Sequence, residues 1–589
     1  MQNPQEFYRN QKAIFEQESI KFKKKLTFSS LLRLSTFLAI ILGIYLFFGN
    51  ISAVLIVVGI GIIVFIYLVL KHSNLQYNFN LNKSLISINN TEIKVLKRDY
   101  LNLDDGSEFI NPKHAYSYDI DLFGRGSFFQ YCNRTVTAEG KFELVQELTS
   151  NPIETIEEKQ EGIDELSNKP AWRQHFSAIA SLVKVQHSAK EIVKWIHGYK
   201  LVFPKWLSFV PIVFSIVSVA IIIGVGLRLI PDVILLLWFL IGLVFSGIYL
   251  KKVNVLYNNA CYAKDTFKQY HKLLNEIENT TFKSKILKGK QEEIKTETES
   301  ASHIFKQYSK LLDALDQRNN VIIAIAGNGL FLRDLFQVYK IEKWIEAYKS
   351  NVENWFQVIA FFDAQNSLAN FRFNHPNYVF PKINKGGNII KAENLGHTLL
   401  KEEQRIDNNF SIKNEQFFII TGANMAGKST FLRTVSLSIV MANMGLPVCA
   451  KSFEYYPIKL ITSMRTTDSL ADDESYFFSE LKRLKFIVNE IKEDNYFIIL
   501  DEILKGTNST DKAIGSKKFV QKLVASNSTG IIATHDLSLC EIEKELMQVK
   551  NYYFDAEIIN DELNFDYQLK DGICKNMNAS FLLKKMKIV

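Results

Sequence analysis

Thr421 to Thr430 reads TGANMAGKST, and within it Gly422-x-x-x-x-Gly427-Lys428-Ser429 has the spacing of a loop that wraps phosphate groups. Such a loop works through its backbone. Glycines let successive N–H groups turn inward around phosphate oxygens, the following helix adds positive partial charge at its N-terminus, and the lysine reaches the outer phosphates. Gly422, Ala423, Asn424, Met425, Ala426, Gly427, Lys428, Ser429 and Thr430 are therefore the expected nucleotide contacts, with the Ser429 hydroxyl also a ligand for Mg²⁺. The context is right: the apolar run Phe417-Phe418-Ile419-Ile420 predicts a strand before the loop, and a helical run starts at Phe431. With glycine near 7% of residues, a chance match in a chain of this length has a probability of roughly 2%.

Two further segments carry chemistry downstream. Tyr496 to Leu500 reads as a buried parallel strand ending in Asp501-Glu502. A carboxylate at that position can hold Mg²⁺, and the next can orient or deprotonate an attacking water. Alone, such a pair reads as an ordinary solvated loop; behind a phosphate loop it reads as Asp501 for the metal and Glu502 for catalysis. Gly530 to Ala533 predicts another short strand, followed by Thr534-His535-Asp536. A lone histidine is more often structural, but its place in this series, at a strand's C-terminal end, makes His535 a candidate for sensing or polarising the outer phosphate. Phosphate loop, strand with Asp-Glu, strand with His is the order of ABC-type ATPases, so the ligands expected are ATP and Mg²⁺.

The same residues resemble the MutS family of DNA mismatch-repair proteins. TGANMAGKST is similar to that family's phosphate loop, with Ala423 and Ala426 where proline and glycine are usual. Asp501 to Asp511 resembles its Walker B run and Gly-Thr-Ser/Thr signature, with Leu504-Lys505 replacing Gly-Arg, and Ala533-Thr534-His535 resembles its switch. Asp468-Ser469-Leu470 and Ser475 to Glu480 resemble two elements that lie between them, and His114 to Thr137 resembles the start of the family's helical core. The resemblance implies a homodimer with ATP at its interface, in which Asn508 and Ser509 face the partner's γ-phosphate. It also implies DNA as a ligand and further protein partners that it does not name. Mismatch-reading members carry an N-terminal Phe-x-Glu wedge with no counterpart here, so the expected DNA binding is weak and indifferent to a mispair.

The elements that position this site include long apolar segments. Leu31 to Phe48 and Ile51 to Leu70 form one pair, and Trp206 to Leu227 and Val233 to Leu250 another. Each is near the ~20 residues that cross a ~30 Å hydrocarbon core, so four transmembrane helices in two hairpins are predicted. Lys21, Lys23, Lys24, Lys25, Lys71, Lys205, Lys251 and Lys252 flank the spans on one side and Arg228 alone lies opposite. That side is cytoplasmic, which predicts a multi-pass cell-membrane protein with both termini and the ATPase domain in the cytoplasm.

The expected organisation is a cytoplasmic N-terminal helix (1–30), a hairpin (31–70), a connector or core segment (74–200), a second hairpin (206–250), a helical lever (255–370) and the α/β ATPase domain (375–589). Trp172 to His197 predicts an amphipathic helix. Phe267, Tyr270, Leu274 and Ile277, and later Phe305, Tyr308, Leu312 and Leu315, fall on single helix faces, while Lys288 to Ser300 predicts an exposed tip. Cys132, Cys261, Cys449, Cys540 and Cys574 are scattered without metal-ligand spacing. Seventy basic against sixty-two acidic residues is too mild an excess to argue for nucleic acid. A rival reading, a transport or membrane-remodelling ATPase with moving hairpins, is disfavoured because no span carries the charged residues of a substrate path.

Overall fold

The computed structural model describes residues 3–183, 188–296, 299–465, 476–559 and 562–574. Asp468 to Leu470 and Ser475 lie outside them. The N-terminal body is helical: α1 (Pro4–Leu46), α2 (Ile51–Val95), α3 (Ala138–Thr149), α4 (Pro170–Ser181), α5 (Ala189–Gly198), α6 (Val210–Gly226), α7 (Asp232–Cys261), α8 (Lys264–Glu278), α9 (Ala301–Asp316), α10 (Val321–Phe331) and α11 (Arg333–Asn374). In the C-terminal body, α12 (Lys428–Asn443) and α13 (Ser509–Ala525) pack with β1 (Asn388–Leu395), β2 (Asn408–Lys413), β3 (Phe417–Gly422), β4 (Ser452–Tyr455), β5 (Lys459–Ser463), β6 (Tyr496–Asp501), β7 (Thr529–Ala533), β8 (Val549–Phe554) and β9 (Leu569–Asp571).

α1 and α2 are longer than their apolar stretches. Asn3 caps α1, Asn50 caps α2, and residues 47–50 form the turn between them. Because both helices run on past the apolar zone, their polar ends form a two-helix stalk in which Ser29 meets His72 and Glu18 meets Asn82. Among the described residues α1, α2 and α7 are long and apolar enough to cross a membrane. The fourth predicted span is shorter than expected. Its apolar run from Trp206 to Leu227 is broken by Pro211: Lys205–Ser208 is a 3₁₀ turn, and only the 17 residues of α6 are α-helical. Trp172 to His197 is likewise two helices, α4 begun by Pro170 and α5 capped by Ser188, rather than one.

The two aromatic stripes do meet. Phe267 on α8 packs edge-on against Phe305 and Tyr308 on α9, with ring centroids 4.7 and 4.6 Å apart, and all three are buried. The charged segment between them is less open than its composition predicts: residues from Lys285 to Glu292 form a helix, and Leu287 and Ile294 are buried.

The main sheet has the order β9-β8-β3-β7-β6-β5, parallel throughout except for β9. β3 and β7 are buried along their whole length and β6 through Phe497 to Leu500. Near-continuous Ile, Leu and Phe is what a sheet covered on both faces requires. A second sheet, with β4, β1 and β2 in that order beside the short strand Lys382–Ile383, packs alongside. The connector segment is sewn onto the main sheet's edge: Thr462 N donates to Ala115 O, and Asn151 exchanges hydrogen bonds with both backbone groups of Leu460.

The stalk ends at a buried polar junction with α4 and the end of α11. The Tyr8 hydroxyl lies 2.8 Å from Asn374 Oδ1 and 3.1 Å from Asn370 Oδ1, and Arg173 Nη1 donates to Asn370 Oδ1 at 2.9 Å. Asn374 Nδ2 donates to Glu92 Oε2 at 2.7 Å, and Arg134 Nε donates to Glu92 Oε1. Burial pushes the Glu92 carboxyl up, but the Arg134 charge and the hydrogen bonds from Arg134, Asn374 and Asn370 outweigh it and hold the group below its ordinary value. Removing one partner of a buried ion pair leaves the other uncompensated and costs about 3–5 kcal/mol. Glu92→Ala should therefore lower stability by about that amount in detergent unfolding experiments. Because the folded pKa is depressed, the wild-type contribution is complete above the ordinary glutamate value of about 4.3 and lost as pH falls below it; an unchanged acid-unfolding midpoint in Glu92→Ala would contradict the assignment.

Candidate functional site

Register brings the chemistry together. Ile420 on β3 lies opposite Ala533 on β7, and Ala533 opposite Asp501 on β6, so three strand ends stand flush. The loop from β3 to α12, the Asp501-Glu502 pair and Thr534-His535 leave the sheet at the same edge. Gly422 has φ 149° and Gly427 φ 105°, backbone that side-chain-bearing residues rarely adopt. A Cβ on Gly422 would sit 2.5 Å from the Phe554 carbonyl oxygen and one on Gly427 3.1 Å from the Tyr567 ring, so both places must stay bare. Met425 and Glu502 also hold positive φ, 67° and 47°, the kind of local strain that surrounding structure sustains at working sites. Glu502 is fixed there by its own N–H, which donates to Ala533 O at 2.9 Å.

Lys428 is buried, and its Nζ donates to Gly422 O at 2.8 Å and Ala423 O at 2.9 Å. Burial lowers its pKa, partly offset by Asp501 and Glu502. Its Nζ is also 3.2 Å from His535 Nε2, which lies 3.3 Å from Glu502 Oε1. Burial and then the Lys428 charge lower the His535 pKa, against the pull of Glu502 and Asp501. Ser429 Oγ donates to Asp501 Oδ2 at 2.7 Å.

These groups border a cavity of about 560 Å³, inside the range of about 300–1,000 Å³ that holds small-molecule ligands. Asn424, Met425, Ala426, Gly427, Lys428, Ser429, Thr430, Asp501, Glu502 and His535 all line it; Gly422 and Ala423 serve instead through their carbonyls on Lys428. The residues fit ATP with Mg²⁺: a buried cation inside the loop and a hydroxyl and carboxylate side by side. Among the described residues no three His, Cys, Asp or Glu are placed to hold a metal unaided, which suits an ion that takes one or two protein carboxylates and completes its shell with water and phosphate.

Asn508 and Ser509 do not join this cavity. Both are exposed at the N-terminus of α13, where Asn508 Oδ1 caps the helix by accepting from Asp511 N. Sequence reasoning missed other walls, among them Arg405, Ile406, Asn408, Phe554 and Tyr567. Asn408 positions Tyr567 by donating to its carbonyl at 3.0 Å while accepting from Leu569 N. No motif marks these residues, and the Tyr567 ring reaches Gly427 only through the fold. Glu480 Oε2 accepts from Lys505 N at 3.0 Å and so braces the loop after Glu502.

Residues 418–586 match the family described as MutS domain V. The chain thus shares this domain with the MutS family. The DNA mismatch repair protein MutS of Persephonella marina is 33% identical over 224 residues, 37% of this chain and 25% of that protein. The protein of the same name from Aquifex pyrophilus is 31% identical over 205 residues, 34% of this chain and 24% of its own. Human MutS protein homolog 4 is 30% identical over 185 residues, 30% of this chain and 20% of its own. The chain thus spans a fifth to a quarter of the length of these curated relatives, in the part that contains the MutS domain V.

If Lys428 is the cation that meets the phosphates, Lys428→Ala should weaken binding of a fluorescent ATP analogue at least tenfold, about 1.4 kcal/mol. Equal affinity in the variant and the wild type would remove the phosphate loop from the site.

Proposed function

We propose that this chain is a membrane-anchored MutS-type ATPase that binds ATP with Mg²⁺, hydrolyses it, and works as a homodimer. The observation that carries the reading is the convergence of Lys428, Ser429, Asp501, Glu502 and His535, within hydrogen-bond reach of one another, at the C-terminal edge of a parallel sheet. Lys428 binds the outer phosphates, Ser429 and Asp501 hold Mg²⁺, and Glu502 orients and deprotonates the attacking water. Mg²⁺, when bound, neutralises charge on the phosphate oxygens. His535, beside both Lys428 and Glu502, positions the pair. Exposed Asn508 and Ser509, outside their own chain's cavity, suit a role in completing the partner's site.

The apolar α1, α2 and α7, with the shorter α6, support anchoring in the cell membrane through two hairpins, the lysine-rich side being cytoplasmic. The relatives' names concern DNA mismatch repair. For this chain we propose at most weak, mispair-indifferent DNA contact, because seventy basic against sixty-two acidic residues is only a mild excess.

Two experiments test the reading. ATP turnover by detergent-purified protein should be abolished in Glu502→Gln while nucleotide binding persists and the ATP-bound dimer accumulates. Neither matched nor single-mismatch duplex should change the wild-type rate differently by as much as tenfold. Undiminished turnover in Glu502→Gln would remove it as the base. For topology, reporter fusions after Lys97 and after Val589 should both read as cytoplasmic; an exterior signal from either would break the two-hairpin arrangement.

A further inference from the structure

α10 is an apolar helix of 11 residues, VIIAIAGNGLF, too short to cross a bilayer at ~1.5 Å per residue. Val321, Ile322 and Ile325 nevertheless turn away from the protein, Ile322 being 79% and Ile325 47% exposed. The helix lies against α6 and α7, two of the apolar helices. Its contact with α7 is close: a Cβ on Gly242 would fall 2.2 Å from Gly329 O, and one on Gly329 2.3 Å from the Phe239 ring. Small residues that let backbones touch are how helices associate where lipid removes the hydrophobic drive between them.

The end of α10 is the decisive feature. The last carbonyls of a helix have no intrahelical partner, and in water they are simply hydrated. Here Ser218 Oγ donates to Leu330 O, sharing its proton with Phe214 O of its own helix at 2.8 Å, while Ser215 Oγ donates to Pro211 O at 2.7 Å and lies 3.4 Å from Phe331 O. Ser215 and Ser218 are the two polar side chains of the otherwise apolar α6. Ser218 is fully buried and in turn accepts from Trp238 Nε1 at 2.8 Å, with the Trp238 ring stacked on Phe214. A buried protein hydroxyl set against a helix end does there what water cannot do in a water-free surrounding. At Leu332, buried and left-handed at φ 48°, the chain turns by 85° into α11. The flanking arginines stay on the protein: Arg318 pairs with Asp334, and Arg333 donates to Ala314 O and Gln317 Oε1.

We propose that α10 enters the cytoplasmic leaflet as a re-entrant half-helix, its Val321, Ile322 and Ile325 side chains in contact with lipid acyl chains. The proposal rests on the membrane reading above and adds a lipid-contacting element that is covalently continuous with α11, the helix that reaches the junction at Asn370 and Asn374.

The test uses full-length protein in vesicles of phosphatidylcholine and phosphatidylglycerol, with Cys261, the native cysteine that is not buried, replaced by serine. Bimane is attached at Ile322→Cys or Ile325→Cys, at Ile62→Cys and Leu240→Cys as in-span references, and at Lys288→Cys as an aqueous one. Doxyl-labelled lipid should reduce fluorescence at 322 and 325 at least twofold, as at the in-span references, while iodide quenches only the probe at 288. If 322 and 325 respond to iodide like 288, or to neither quencher because protein covers them, the proposal is overturned while the hairpins stand. If the probes at 62 and 240 also escape the lipid quencher, the membrane reading fails with it.

Discussion

A buried carboxylate, Glu92, holds the two ends of this protein together. Taking an ion out of water costs several kcal/mol unless charge and hydrogen bonds replace the lost hydration. The replacements come from different parts of the chain: Arg134 lies within the connector, Asn374 ends α11, and Tyr8 near the start of α1 closes the network through Asn370 and Asn374. None of these elements can leave without exposing the others' polar groups to an apolar surround. The junction therefore ties the stalk to the connector and to the end of α11, after which the sheet-bearing domain begins. Arg134 extends the tie, its N–H donating to Ser367 Oγ on α11.

From that junction α11 leads away along its 42 residues to α10 and the apolar helices. The same helix carries Asp363, which caps the start of α3 by accepting from Val136 N, Thr137 N and Thr137 Oγ1. Burial raises the Asp363 pKa to about 6, against those hydrogen bonds. Farther along, Glu342 accepts from Tyr199 Oη and from Val202 and Phe203 N–H, fixing the entry to α6. A single rigid element thus runs from the apolar helices to the body that bears the nucleotide cavity. Movement at either end would be felt at the other, because α11 is anchored through buried polar groups at both.

The nucleotide cavity depends on the same kind of constraint at shorter range. Sheet register places three strand ends level, and the hydrogen bond from Glu502 N to Ala533 O pins the acidic pair to the strand that delivers His535. Connector residues reach this region too: Asp119 accepts from Thr462 Oγ1 and from Arg465 N, and Asp121 pairs with Arg465 and Arg433, the latter on the helix after the phosphate loop. The helical body and the site share side chains rather than merely lying side by side.

The sequence by itself determined the phosphate loop, the strands bearing Asp501-Glu502 and His535, the apolar stretches and the stripes of α8 and α9. Each is a local pattern, readable because glycine spacing, β-rich runs and helical periodicity act within a few residues. The lengths of α1 and α2, the late start of α6 at Pro211 and the two-helix form of Trp172 to His197 were decided by caps, prolines and packing that a hydropathy window averages away. Only the tertiary structure brought Tyr567 and Asn408 to the phosphate loop, or Tyr8 and Glu92 to Asn374, since those partners are separated by well over one hundred residues. α10 escaped the length criterion for spans because 11 residues fall short of it. Its character rests on two serines in another helix and a glycine-to-glycine contact with a third, and pairings of that kind are selected by the packed fold, not by neighbours in sequence.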